Sequence, residues 1–212
     1  MSFNVVIPAR LKSSRLKEKV LIEIHGIPMV IHVAQRASLS GAKNIVIATD
    51  DKKIVQVASH YNFKSVMTNK NHLSGTDRCL EASDISMWSD QDIIVNVQAD
   101  EPLIDPALID LVAKNVIESE SGYVTACSEF KSYKEFINPN NVKVVLDSHS
   151  HALYFSRSSI PYSSSKDLSH NNYAFHHLGI YAYRVKTLKK FCSFSISLSV
   201  RNLTGPFVNT VS

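Results

Sequence analysis

Two hundred and twelve residues, 44% hydrophobic and 20% charged, fit one domain or at most two small ones and exclude a disordered, collagen-like or coiled-coil chain. Lysine and arginine number 23 against 19 acidic residues, and the net charge of +4 suits an anionic ligand without arguing for nucleic acid. Cys79, Cys127 and Cys192 are far apart and form no CxxC or Cys/His cluster, so neither a disulfide framework nor a zinc site is indicated, and a cytoplasmic location is expected.

FNVVIP at 3–8 is a short apolar, β-branched run, the pattern of a strand buried on both faces. It lacks the extended apolar region of a signal peptide, and no stretch approaches the roughly 18 to 20 apolar residues of a membrane span, so membrane insertion is not expected. After a polar loop and a turn at His25-Gly26, Pro28 reads as a first helical residue, and Met29, Val30, Val33, Ala34 and Ala37 share one helical face up to Gly41. NIVIATD at 44–50 is a second buried strand, followed by a helix carrying Ile54, Val55, Val57 and Ala58. FKSVMT at 63–68 makes a third strand and DIIVNVQAD at 92–100 a fourth, with another helix over 106–117. This alternation predicts an α/β, Rossmann-like fold: a mostly parallel sheet with helices on both faces. From Tyr123 the strand-like segments YVTACSEF, NVKVVLDS, HALYFSRS and HHLGIYAYRV follow with few helices between them, which predicts an antiparallel or mixed extension. No repeat or clear linker interrupts the chain, and residues 1–212 read as one domain.

In open α/β sheets ligands bind beyond the carboxyl ends of the strands. After the first strand there is no GxGxxG and no GxxxxGK[ST], so dinucleotide-binding and P-loop readings have no support. ARLKSSRLKEK stands there, with Arg10, Lys12, Arg15, Lys17 and Lys19 beside Ser13 and Ser14. A phosphate chain needs such cations, arginine for bidentate contacts and lysine as a point charge; the same run also suits a solvated basic loop, and its place above a strand favours the phosphates. After the fourth strand come Gln98, Ala99, Asp100, Glu101 and Pro102. Two carboxylates there suit Mg²⁺, which takes one or two carboxylates plus substrate phosphates, and they also suit an acidic turn. Together the two loops point to metal-assisted chemistry on a nucleoside triphosphate. Ser74-Gly75-Thr76-Asp77-Arg78 adds hydroxyls, a glycine and an arginine, or else opens a helix with Thr76 as its cap.

The motifs IPARLKSSRLKEKVL, HLSGTDR, NVQADEP, FINPNNVKVVLD, ALYFSRSSIPY and HHLGIYAYR, in this order over about residues 1–190, resemble the 3-deoxy-manno-octulosonate (Kdo) cytidylyltransferases, or CMP-Kdo synthetases. The resemblance implies a Rossmann-like enzyme, of nucleotide-diphospho-sugar transferase type, that makes CMP-Kdo and pyrophosphate from CTP and Kdo in the cytoplasm, for lipopolysaccharide. It implies that Arg10, Ser13, Arg15 and Lys19 face the CTP phosphates, with Arg15 and Lys19 assisting catalysis. It further implies that Ser74, Gly75, Arg78 and Gln98 frame the nucleotide, that Asp100 binds Mg²⁺, and that Arg157, His177 and Tyr181 line the sugar-acid pocket. A homodimer is implied as well.

The chain departs from the family pattern at Lys17, where proline is usual, and at Glu18, Ala99 and Ala182, where glycine is common. After about Lys190 the motif resemblance ends, and the tail FCSFSISLSVRNLTGPFVNTVS contains no Asp or Glu. A family glutamate and glutamine for Kdo and a second metal aspartate therefore have no counterpart there. Alternating Ser193, Ser195, Ser197 and Ser199 suit a half-exposed strand, and translation out of frame is the favoured expectation for the tail. Two functions stay open: an active cytidylyltransferase for Kdo or another sugar acid, with Asp100 and either Glu101 or Asp77 on the metal, and a nucleotide-binding remnant of impaired activity.

Overall fold

The computed structural model describes residues 2–11, 18–119, 121–162 and 174–193. The chain packs as two compact units, one of Met1–Gly122 with Ile180–Ser193 and one built on Tyr123–Gly179. The sequence shows one domain without a linker because the second unit is inserted between two pieces of the first, with no polar spacer at Gly122-Tyr123 or Gly179-Ile180.

The first unit opens with β1 (Asn4–Ala9), in which Val5, Val6 and Ile7 are wholly buried. A 3₁₀ turn at Lys19–Leu21 leads into a small ribbon of β2 (Glu23–Ile24) and β3 (Ile27–Pro28), and then α1 (Met29–Ala37). Pro28 stands at the cap of α1, one place before the helical position expected, because its backbone belongs to the ribbon opposite Glu23. β4 (Asn44–Thr49), α2 (Lys52–His60), β5 (Lys64–Met67), α3 (Gly75–Ile85), β6 (Ile93–Asn96) and α4 (Pro106–Glu118) follow. β1 pairs in parallel with β4 and β6, and β4 with β5, in the order β5-β4-β1-β6. The chain thus moves outward from β1 to β5 and returns to the far side of β1 for β6. That reversal puts a topological switch point at the carboxyl ends of β1 and β6.

The second unit holds β7 (Tyr123–Ser128), α5 (Tyr133–Ile137), β8 (Lys143–Leu146), β9 (Ala152–Ser156) and the first half of β10 (Ala174–Arg184). β8 pairs antiparallel with β9 and with β10, and β7 also pairs with β10. Cys127, Val144, Leu146 and Phe155 form its apolar cluster, with Phe175 packed against them.

The second half of β10 returns to the first unit and adds antiparallel to β6, with Tyr181 opposite Asn96. α6 (Val185–Ser193) then packs on α3, while α1 packs on α4. The sheet is mostly parallel, carries helices on both sides and has an antiparallel extension, as the alternation of elements predicts. Among the described residues no helix is long and apolar enough to cross a membrane.

Candidate active site

Because β1, β4, β5 and β6 are parallel, their carboxyl ends share one edge, where Arg10, Asp50, Thr68 and Gln98 follow the strands. Lys19 and Asp100 meet at this edge, Nζ donating to Oδ2 at 2.7 Å across 81 residues of sequence. Asp100 is presented by a turn: the Val97 N–H continues the ladder onto the Val6 carbonyl at 3.0 Å, and the Glu101 N–H closes back on the Gln98 carbonyl at 3.2 Å. The two side chains are 38% and 44% exposed, so the pair contributes only roughly 0–1 kcal/mol and opens at little cost to a phosphate or a cation. Glu101 remains at the surface, yet partial desolvation, and after it the charge of Asp100, raises its carboxyl above the usual range. Arg10 is exposed, whereas Ser13 and Arg15 lie outside the described residues.

At the start of α3 the cap is Ser74, not Thr76. Ser74 Oγ accepts the Asp77 N–H at 3.1 Å and Asp77 Oδ2 accepts the Ser74 N–H at 3.1 Å, a reciprocal capping box. Asp77 Oδ2 thereby serves the cap of α3. Gly75 permits the approach of this turn to β1, since a Cβ there would sit 3.3 Å from Pro8 Cγ. Arg78 points inward: it is 3% exposed, donates to Thr68 Oγ1, and lies 3.2 Å from Asp50 Oδ2. Gln98 Nε2 donates to Asn96 Oδ1 at 3.3 Å. Tyr181 stands opposite that asparagine on β10, its phenol pushed up to about 12 by burial.

In the second unit, Arg157 follows β9 with an exposed side chain and donates from Nη1 to the Pro139 carbonyl at 3.0 Å. His177 Nε2 lies 2.9 Å from Thr125 Oγ1, and its ring meets Phe155 edge-on at 4.9 Å. Burial, with the charge of His176 second, lowers its pKa to about 4, so the imidazole is neutral near pH 7 and offers one donor and one acceptor.

The described chain pairs Lys19 with Asp100 at the switch point of a nucleotide-binding type of sheet, and a cytidylyltransferase family model matches residues 4–198. The chain belongs to the cytidylyltransferase family. Two relatives are 3-deoxy-manno-octulosonate cytidylyltransferases. That of Neisseria meningitidis serogroup C is 44% identical over 201 residues, covering 92% of this chain and 79% of the relative. That of a Nitratiruptor species is 48% identical over 192 residues, covering 89% and 78%. A solved CMP:2-keto-3-deoxy-manno-octonic acid synthetase complexed with CTP superposes with a TM-score of 0.81 at 36% identity, covering 93% of this chain and 79% of that one. The family match runs past Lys190, where the motif resemblance ends, and residues 194–212 lie outside the described ones.

Among the described residues of this cytidylyltransferase no three His, Cys, Asp or Glu side chains cluster as a metal cage. Asp100, an exposed carboxylate at the switch point, fits a hard divalent ion that draws its other ligands from substrate phosphates and water. The sequence reading missed Lys143 of β8, a wholly buried ammonium beside Arg157. In the alternating stretch NVKVVLD a lone lysine reads as an outward-facing residue, and no local signal marks it as buried.

Proposed function

We propose that this cytidylyltransferase moves the cytidylyl group of CTP onto 3-deoxy-manno-octulosonate, giving CMP-Kdo and pyrophosphate for lipopolysaccharide assembly in the cytoplasm. The anomeric hydroxyl oxygen forms a bond to the α-phosphorus as the bond to the bridging oxygen breaks in line. Pyrophosphate leaves with that oxygen, and the hydroxyl proton passes to water. No covalent enzyme intermediate is needed, so positioning and charge neutralisation supply the catalysis.

Lys19 and Arg10 take phosphate oxygens in this reading, and Ser13 and Arg15, outside the described residues, are assigned to the same phosphates. Ser74, Gly75, Arg78 and Gln98 frame the nucleoside, Arg78 by holding Thr68 and Asp50 rather than by reaching out. Arg157 pairs with the sugar-acid carboxylate, and His177 and Tyr181 orient its hydroxyls. Asp100 would hold Mg²⁺, which when bound withdraws charge from the phosphates.

The observation that carries the reading is the Lys19–Asp100 pair at the switch point of a chain with a TM-score of 0.81 to a CTP-bound synthetase. The test is Mg²⁺-dependent pyrophosphate release from CTP and Kdo by the purified chain, with Asp100→Asn as control. Release needing both substrates and lost in the control supports it; absence of release from a folded chain that binds CTP sinks it.

A further inference from the structure

Lys143 is 0% exposed. Its ammonium faces no carboxylate among the described residues and directs its three N–H groups to main-chain oxygens, those of Asn138 at 2.9 Å, Asn141 at 2.9 Å and Arg157 at 2.7 Å. An ammonium taken out of water without a counter-ion is costly, and here three main-chain oxygens replace the water it has lost, so the lysine and the segments that carry those oxygens depend on each other. Burial, and after it the positive charge of Arg157, lowers the Lys143 pKa.

The lysine ties two separate segments together. Two of its acceptors belong to the turn at 138–141, and the third is the backbone of Arg157 itself. That turn also receives the Arg157 guanidinium, through the Pro139 carbonyl at 3.0 Å, and is tied to α5 by Asn141 Nδ2 on the Glu135 carbonyl at 3.0 Å. Arg157 is therefore fixed twice, its backbone directly by Lys143 and its side chain by the turn that Lys143 holds.

We propose that Lys143 is the positioning residue for Arg157: its buried tripod sets where the guanidinium stands. The proposal rests on the reading of Arg157 as the partner of the sugar-acid carboxylate. Its effect falls on sugar-acid binding and passes through Arg157.

Steady-state pyrophosphate release with CTP, Kdo and Mg²⁺ tests it in Lys143→Met, Arg157→Gln and the double variant. Lys143→Met should raise KM for the sugar acid about tenfold while KM for CTP stays within about twofold. Arg157→Gln should raise sugar-acid KM at least as much, and the double variant should match Arg157→Gln alone, because the lysine acts through the arginine. Additive effects in the double variant, or equal rises in both KM values, overturn the proposal. If Arg157→Gln raises sugar-acid KM and Lys143→Met does not, the proposal fails while the reading of Arg157 stands. If Arg157→Gln leaves sugar-acid KM unchanged, that reading fails and the proposal falls with it. Lys143→Gln keeps two N–H donors without the charge and carries the test if Lys143→Met does not fold. Failure of both variants to fold makes the lysine purely structural and overturns the proposal.

Discussion

The two units treat buried or crowded charge differently. In the parallel unit Lys19 lies 2.7 Å from Asp100 and Arg78 lies 3.2 Å from Asp50, so these cations already have anions beside them. In the antiparallel unit Lys143 is solvated by three carbonyls, Arg157 donates to a fourth, and His177 is kept neutral. A polyphosphate entering the first unit must exchange with existing ion pairs, a swap that needs a cation for the displaced carboxylate. A monoanionic sugar acid reaching Arg157 would meet a guanidinium that has no carboxylate paired with it among the described residues. The difference suits the two substrates of the proposed reaction, and each side of it can be tested separately.

The largest effects are expected at the exposed pair of the first unit. Asp100→Asn and Lys19→Met should each lower kcat by on the order of 10²–10³, the usual loss when one preorganised charge is removed. Their melting temperatures should hardly move, because the exposed pair contributes little to stability. Parallel losses of activity and stability would mean that Lys19 and Asp100 are structural, and the contrast between the units would lose its functional content.

Arg78→Met tests the buried half of the same unit. It leaves Asp50, whose side chain is 20% exposed, without its cation and Thr68 without its donor, and about 3 kcal/mol of stability should be lost. For a chain of this size that is a fall of roughly 10 °C in Tm. Unchanged Tm with weaker CTP binding would show that Arg78 turns outward to the nucleotide.

The neutral histidine of the second unit makes a pH prediction. The folded pKa of His177, about 4, lies below the unfolded value of 6.5, so on acidification the unfolded chain takes up the proton first. Stability is therefore full above about pH 6.5 and falls as pH drops through 4, by on the order of 3 kcal/mol in all. His177→Gln removes the titration while keeping polar groups near Thr125. Its denaturation midpoint should lose less between pH 7 and pH 4 than the native chain's, and identical slopes would rule out a buried neutral His177.

Much of this was legible in the sequence, and the misses share a cause. Val5–Ile7, Ile45–Ile47 and Ile93–Val95 are apolar runs, and each lies in a parallel strand. The Arg10–Lys19 and Gln98–Glu101 segments stood out because charge follows directly on such runs. α3 carries no apolar stripe in the sequence, because its buried face is made of Arg78, Cys79, Ala82 and Ser83, too polar or too small to form one. α5 and α6 were missed for a similar reason: the first buries Phe136 and the second only Val185 and Leu188. The inward turn of Arg78 and the burial of Lys143 have no local signal, because their partners, Thr68 and the carbonyls of the 138–141 turn, are set by tertiary folding.

Glu18 is the case where a sequence departure acquires a physical reason and the smallest expected effect. The motif resemblance implies a glycine there, and the structure gives Glu18 φ 55, the left-handed region that costs a side-chain-bearing residue roughly 1–2 kcal/mol. The ion pair from Lys53 at 3.1 Å, with side chains 61% and 38% exposed, returns only part of that. Glu18→Ala loses the pair and keeps the strain, so it should destabilise by under about 1 kcal/mol. Glu18→Gly loses the pair and relieves the strain, at the entropic cost of a freer unfolded chain, so it should end slightly above the native protein. The gap between the two variants, about 1 kcal/mol or roughly 3 °C in Tm, isolates the backbone cost. Since Glu18 immediately precedes Lys19, equal Tm values for the two variants would mean that the turn presenting Lys19 is not strained.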